Sequence, residues 1–345
     1  MREPKVSILL NNYNYADYIS QAIESALAQT YKNIEIIVVD DGSTDTSRSI
    51  IEAFGSNIQH IFKDNGGQAS AFNAGFLAST GDLILFLDSD DYLSENCVEK
   101  VVKEWNKSYT KIHWRMSVVD RHGIAFGSYP PQSVKLDDGD LTRKLMSTAA
   151  YTCSPTSGNM FSKGFLELVM PIPEDSYRIS ADGFLLIHAA LYGEIGKIEE
   201  ELTSYRVHGN NAWAMEAIDI KKFDKYIKHG KQKIAIVGQY CLVTNNLKFF
   251  HGEEYNVLHN IYTLAYGKLS GIAFTDTLYN LAKYFRAVLN SNEISTKSGI
   301  KMLIWMTISV LLPNKLSKSA ISWLFSPSSR PWIRKNLQRS FRTTT

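Results

Sequence analysis

Leu83-Ile84-Leu85-Phe86-Leu87-Asp88-Ser89-Asp90-Asp91 is the stretch that decides the fold. A short unbroken apolar run closed by carboxylates reads as a strand buried on both faces of a parallel sheet, ending in a polar turn. Toward the N-terminus the same pattern recurs. Val6–Leu10 runs into Asn11-Asn12-Tyr13-Asn14, and the β-branched run Ile34–Val39 into Asp40-Asp41-Gly42-Ser43. Ile58–Phe62 reads as a further short strand. Between these runs lie helical stretches. Tyr15 to Gln29 carries Tyr18, Ile19, Ala22, Ile23, Ala26 and Leu27 at helical spacing. Ser43 to Phe54 has Ser43 or Thr44 at its N-cap, and Gln68 to Ala78 leads into Thr80-Gly81. Strands alternating with helices predict a doubly wound α/β sheet.

In open α/β sheets, ligands bind beyond the carboxyl ends of the strands. Three of the four strands end there in Asn or Asp clusters, and clustered carboxylates call for a cation. Asp88 and Asp90, two apart at a strand end, can offer oxygens to Mg²⁺ or Mn²⁺, and such an ion bridges to a diphosphate. A glycosidase pair needs two carboxylates ~5–10 Å apart, which sequence spacing does not show. The Gly66-Gly67 turn is no P-loop, since GxxxxGK[ST] occurs nowhere, and no GxGxxG follows the first strand.

Farther along, Ile112 to Ser162 loses its pattern, with loops at Tyr129-Pro130-Pro131 and Asp137-Asp138-Gly139-Asp140. A helix returns at Gly183–Tyr192 and a strand at Ile198–Arg206. Residues 217–290 read as mostly helical.

Six motifs stand in one order along this chain. They are Val6 to Asn14; Val38-Val39-Asp40-Asp41-Gly42-Ser43-Thr44-Asp45; Asn73-Ala74-Gly75-Phe76; Phe86 to Asp91; Ser180-Ala181-Asp182-Gly183-Phe184-Leu185; and Tyr205-Arg206-Val207-His208-Gly209-Asn210-Asn211. Together they resemble glycosyltransferase family 2 over residues 5–211. The resemblance implies a GT-A fold with a mixed, mostly parallel sheet flanked by helices, plus a C-terminal helical segment. It also implies inverting transfer of a sugar from a nucleotide donor, here a UDP-sugar, to a hydroxyl of a glycan, lipid-linked or protein acceptor. On this pattern Asn11 and Tyr13 line the nucleoside pocket and Asp41 bonds the base. Asp88 and Asp90 contact ribose, donor sugar or metal, Asp91 shares the metal role, and Asp182 is the catalytic base. His208 is either a metal or diphosphate ligand or a hydrogen-bonded loop histidine. The implied organisation is a catalytic domain at 1–212 (nucleotide half 1–91, acceptor half 92–212), a helical segment at 213–296 and a tail at 297–345. Two departures stand out: Asn11-Asn12 where many relatives carry Pro-Thr, and Ala181 rather than Glu before Asp182.

Blander readings apply to other residues. Asp45 suits a cap of the helix near Ser43, Asn73 and Gly75 suit helix packing, and Gly158-Asn159 suits a turn. Trp114, Tyr151 and Trp213 suit a core, although aromatics also stack on sugars. Two rival functions remain: a nucleotidyltransferase on a similar sheet, and an inactive family member acting as a binding module. The first usually carries a basic, Gly-rich signature near strand one. Here no Lys or Arg follows that strand before Lys32.

Composition sets the remaining limits. With 345 residues, 44% hydrophobic and 21% charged, the chain can bury two cores and is neither disordered nor collagen-like. Cys97, Cys153 and Cys241 are odd in number and widely spaced, arguing against a zinc site or a disulfide framework. Met1 to Lys5 lacks a signal-peptide pattern, so a cytoplasmic location is expected. The formal charge of +2 conceals a split: 9 Lys/Arg and no acid from Lys297 on, against 28 basic and 35 acidic side chains before it. The apolar run Met302–Leu312 is about 16 Å long as a helix, too short for ~30 Å of hydrocarbon. Behind it come Ile321–Phe325 and the cations Arg330, Arg334, Lys335, Arg339 and Arg342, interleaved with Trp332 and Phe341. That pattern suits peripheral contact with an anionic membrane. A helix packed on the body with a solvated basic tail, or a nucleic-acid patch, are the alternatives; no nucleic-acid partner is expected.

Overall fold

The structure, a computed structural model, describes residues 3–208, 220–290 and 296–325. The chain divides into two units, Met1–Leu141 with Thr152–Val207 and Thr142–Tyr151 with His208–Thr345. Its elements, in chain order, begin with β1 (Val6–Asn12), α1 (Ile19–Leu27), β2 (Ile34–Asp40), α2 (Ser47–Glu52), β3 (Gln59–Phe62), α3 (Gln68–Ala78) and β4 (Leu83–Asp88). The short β5 (Tyr92–Leu93), α4 (Cys97–Glu104), β6 (Tyr109–Val119) and β7 (Ala125–Tyr129) follow. Next come α5 (Thr142–Thr148), which belongs to the second unit, β8 (Asn159–Ser162), α6 (Lys163–Val169), α7 (Ala181–Tyr192) and β9 (Glu194–Arg206).

One nine-stranded sheet runs in the order β3-β2-β1-β4-β8-β6-β9-β5, with β7 on β6. The first four strands are parallel, and β8 joins antiparallel between β4 and β6. The expected mixed, mostly parallel sheet is therefore present. Ile8, Leu10, Val38, Leu85 and Leu87 are buried beneath Ile19, Ile23 and Ala26 of α1 in one core. Register brings Asn11 beside Asp88, and Asn12 beside Asp40. Side by side in the sheet, these strand ends form one polar rim.

Helix starts differ from the sequence reading. Helix α2 begins at Ser47, and neither Ser43 nor Thr44 is its N-cap. The Ser43 hydroxyl is taken by Asp40, Asn12 and the Asn14 amide, while Asp45 Oδ1 accepts from Ser47 N at 2.9 Å. Asp45 thus orders the turn into α2. The patternless stretch also holds the long strand β6. Its alternate residues Lys111, His113 and Arg115 are all buried. Main-chain carbonyls of Pro130, Pro131 and Val134 receive Arg115, and His113 lies 2.8 Å from Asp137 O. Buried polar groups need such partners; the loop supplies these carbonyls, Glu199 of β9 pairs with Arg115 at 2.5 Å, and Asn159 of β8 accepts from Lys111.

The second unit comprises α5 together with α8 (Ile220–Val243), α9 (Val257–Ser270), α10 (Phe274–Asn290), α11 (Thr296–Leu311) and α12 (Asn314–Phe325). Phe223, Ile261, Leu264, Tyr284, Met306 and Ile321 belong to its own apolar core. Trp305 Nε1 ties α11 to Ala320 O of α12 at 2.9 Å. The apolar run from Met302 is thus half interior: Met302, Met306 and Val310 are buried, whereas Ile300, Ile304, Ile308 and Leu311 are 45–61% exposed. Among the described residues no helix is long and apolar enough to cross a membrane. Gly209-Asn210-Asn211, Trp213 and the basic stretch Arg330 to Arg342 lie outside the described residues.

Candidate active site

The rim is built by amide-to-carboxylate pairing across parallel strands. Asn11 Nδ2 donates to Asp88 Oδ1 at 2.9 Å, and Asn12 Nδ2 to Asp40 Oδ1 at 2.7 Å. Asn14 Oδ1 accepts from Thr44 N at 2.7 Å, latching the loop after β1 onto the loop after β2. Tyr13 stands on that latched loop with 46% of its surface exposed.

Asp41 is buried and multiply bonded. Its Oδ1 pairs with Lys63 Nζ at 2.7 Å and accepts from Gly66 N at 2.9 Å, while Oδ2 accepts from Gly67 N at 2.6 Å. Asn65 Nδ2 donates to the Asp41 carbonyl at 2.9 Å. The carboxylate therefore organises the 63–67 loop.

After β4 the chain turns through the acidic cluster. Asp91 N donates to Asp88 O at 3.0 Å, and Asp90 and Asp91 are buried. Asp91 Oδ1 accepts from Arg206 N at 3.0 Å, and Arg206 Nε donates to Asp90 O at 3.0 Å. Arg206 also lies over the rings of Tyr18 and Tyr92. Below the turn, Ser157 Oγ accepts from Asp88 N at 3.0 Å and bonds the Asp91 carboxyl, and Thr156 bonds Asp88. Asn159 holds that 156–158 turn by donating to Ser154 O and Pro155 O. Asn159 is thus structural, and Trp114 is a core residue whose Nε1 donates to Thr203 Oγ1 at 2.8 Å.

Electrostatics set these carboxylates apart. Burial, with the charges of Asp90 and Asp182, pushes the Asp88 carboxyl up to about 7. Burial and the Asp90 and Asp88 charges hold Asp91 well above the usual carboxylate range. The hydroxyls of Tyr15 and Tyr205 are raised first by burial and then by these same aspartates. So much negative charge in one buried place is unfavourable unless protons or a cation compensate it.

Among the described residues, no group of three or more His, Cys, Asp or Glu side chains is disposed to hold a metal ion. Mg²⁺ and Mn²⁺ need no such cage, because one or two carboxylates with phosphate oxygens and water complete their shell. Asp88 and Asp90 fit that chemistry. Asp91 is engaged by Arg206 and Ser157. His208 is buried and opens the second segment of the second unit, His208–Thr345.

Asp182 lies in the first turn of α7, close enough for its charge to raise Asp88. Gly75 packs on Val39 and Leu9, and Asn73 clamps Ile172 through Nδ2 to its carbonyl and Oδ1 from its amide. Sequence reading passed over Lys63, Asn65, Gln68, Ser157 and Arg206. Their partners are 20 or more residues away, so no local pattern marks them; Arg206 alone lay inside a quoted motif.

A sequence profile of Glycosyl transferase family 2 matches residues 7–156. An uncharacterised glycosyltransferase of Nostoc sp. is 39% identical over 213 residues, which are 60% of this chain and 66% of that protein. The chain thus spans just under two thirds of that relative. TarS 1–349 of S. aureus in complex with UDP shares the fold at TM-score 0.52 and 16% identity, over 92% of this chain and 90% of that one. Mannosyltransferase PcManGT from Pyrobaculum calidifontis, in complex with GDP-Man and Mn²⁺, does so at TM-score 0.51 and 17% identity, over 93% and 87%. With a strand-end carboxylate rim on a GT-A sheet and these matches, residues 7–156 form a glycosyltransferase family 2 domain.

Proposed function

We propose that the protein is an inverting glycosyltransferase that moves a sugar from a nucleotide-diphosphate donor, a UDP-sugar, to a hydroxyl of a glycan, lipid-linked or protein acceptor. One observation carries this reading: the Asp182 charge reaches the Asp88 carboxyl, which also feels Asp90 beside it, with Asp90 and Asp91 buried in the same turn. The relatives' complexes with UDP, and with GDP-Man and Mn²⁺, support a nucleotide-sugar partner and a divalent ion.

In this reading Asn11, Tyr13 and Asp41 receive the nucleoside, and Asp88 and Asp90 hold Mn²⁺ or Mg²⁺. The bound ion would supply charge neutralisation for the departing diphosphate. Asp182 takes the proton of the acceptor hydroxyl as its oxygen bonds the anomeric carbon. The bond from that carbon to the diphosphate breaks, and its electron pair leaves with the nucleoside diphosphate. A single displacement of this kind inverts the anomeric centre and needs one base. The experiment is release of nucleoside diphosphate from a panel of donor sugars, with Mn²⁺ and after chelation. Metal-dependent UDP release is expected. Pyrophosphate release would instead establish a nucleotidyltransferase, and no release from any donor a binding module.

The exposed apolar row Ile300, Ile304, Ile308 and Leu311 favours placement at the inner face of the cell membrane. Exposed Lys315 and Lys318 follow it, with no acid from Lys297 onward. Apolar surface beside cations suits anionic lipid, each cation near the surface adding ~1 kcal/mol. Truncation at residue 296 is a poor test, because Met306, Val310 and Ile321 help form the core of the second unit. Ile304→Asp with Ile308→Asp, both exposed, should lower binding to phosphatidylserine vesicles at least tenfold without changing UDP release. Equal vesicle binding by this variant would remove the membrane assignment.

A further inference from the structure

Gln68 opens α3 and reaches two places remote from it in sequence. Its Oε1 accepts from Ser180 N and from Ala181 N, each at 3.0 Å. Its Nε2 points to Asp88 Oδ1 at 3.4 Å, and its main-chain N–H donates to Arg178 O at 2.8 Å. Chemistry fixes the orientation of this amide. Rotated end for end, it would set NH₂ against two N–H donors and its oxygen against a carboxylate.

The first N–H groups of a helix have no partner within it. Ser180, at the start of α7, has a left-handed φ of 74° and makes no side-chain cap of its own. Such a backbone is costly for a residue with a Cβ and persists only where its surroundings hold it. Gln68 supplies the missing acceptor from across the fold. The approach is close: Gly67 has φ +91°, and a Cβ there would lie 2.6 Å from Arg178 O. Arg178 also bonds Asn65, and the Asp41 carboxylate holds the amides of Gly66 and Gly67. The loop 65–68 therefore joins three pieces: the nucleoside-side Asp41, the donor-side Asp88 and the helix start that carries Asp182.

We propose that Gln68 is a positioning residue of the transfer reaction, its one amide setting the Asp182 turn of α7 relative to Asp88. This rests on reading Asp182 as the base and Asp88 as a donor-side carboxylate. The capping oxygen matters for the chemical step, so its loss falls on kcat rather than on donor KM.

The test uses the full chain and UDP release from its most active UDP-sugar. Gln68→Leu is expected to lower kcat at least tenfold with donor KM within threefold, and to speed hydrogen exchange in a peptide covering 178–183 about tenfold. Gln68→Glu keeps an acceptor for both amides, and negative charge at a helix N-terminus is favourable. It should restore kcat to within threefold, while the Mn²⁺ concentration for half activity shifts by threefold or more beside Asp88. If Gln68→Leu does not fold, recovery in Gln68→Glu still supports the inference and loss of kcat there overturns it. Native kcat in Gln68→Leu, or equal loss in both variants, also overturns it. Asp182→Asn separates the two levels. If it transfers at the native rate, the base reading fails; if it is inactive while Gln68→Leu is fully active, only the positioning role fails.

Discussion

Asp182→Asn is expected to bind the nucleotide-sugar donor with unchanged affinity and to lose transfer by about a thousandfold, within the range ascribed to general-base catalysis. The substitution preserves shape and leaves the Gln68 bonds to the Ser180 and Ala181 amides in place. What it removes is the carboxylate proposed to take the acceptor proton. Donor affinity should hold because Asp41, Asp88 and Asp90 are untouched. Calorimetric titration with UDP and single-turnover transfer are the two measurements. A variant that transfers at the native rate would end the base assignment, and one that no longer binds UDP would place Asp182 on the donor side instead.

Asp88→Asn should separate stability from activity. An unfolded aspartate titrates near 4, whereas the folded Asp88 carboxyl is pushed up to about 7 by burial, Asp90 and Asp182. Between those values the folded state holds more protons than the unfolded state. The Asp88 contribution to the metal-free protein's stability is therefore fully present below pH ~4 and is lost as pH rises toward 7, with little change beyond. The raised Asp91 carboxyl contributes in the same direction. Replacing Asp88 by Asn keeps an oxygen for Asn11 and removes one of the repelling charges. At pH 8 without metal, the variant should melt several degrees higher, on the order of 1 kcal/mol or more. Metal-dependent UDP release should fall about a hundredfold, because a carboxylate ligand of a hard cation has been lost. A native chain whose melting temperature is flat from pH 5 to 8 would contradict the electrostatic picture, and full activity in Asp88→Asn would remove it from the donor site.

The parts legible in sequence share one property: they are local. Apolar runs over Val6–Leu10, Ile34–Val39 and Leu83–Leu87 mark strands because each is buried on both faces, and the Asn and Asp clusters behind them mark turns at one edge. Strand β6 was hidden for the opposite reason. Lys111, His113 and Arg115 break the apolar alternation, and their burial depends on Asn159 and on carbonyls between Pro130 and Asp137. The helix through Met302 showed the same limit. Its composition marked it as apolar, but which side faces the second unit's core depended on the helices around it.

Asp88, Asp90, Asp91 and Asp182 were singled out by motif order alone, because each stands beside a strand end or a helix start. What ties them together was not. The Asp41–Lys63 pair, Arg206 under the acidic turn and the Gln68 amide join residues separated by 20 to 116 positions. Sequence by itself thus determined the sheet's first half, its polar strand-end rim and the kinds of side chain offered there, since these follow from periodicity and residue type over a few neighbours. Only the tertiary structure decided which carboxylates repel one another, which are engaged by main chain, and what aims the Asp182 turn. Charge and hydrogen bonding act through space, and distance in space is not written in the order of the residues.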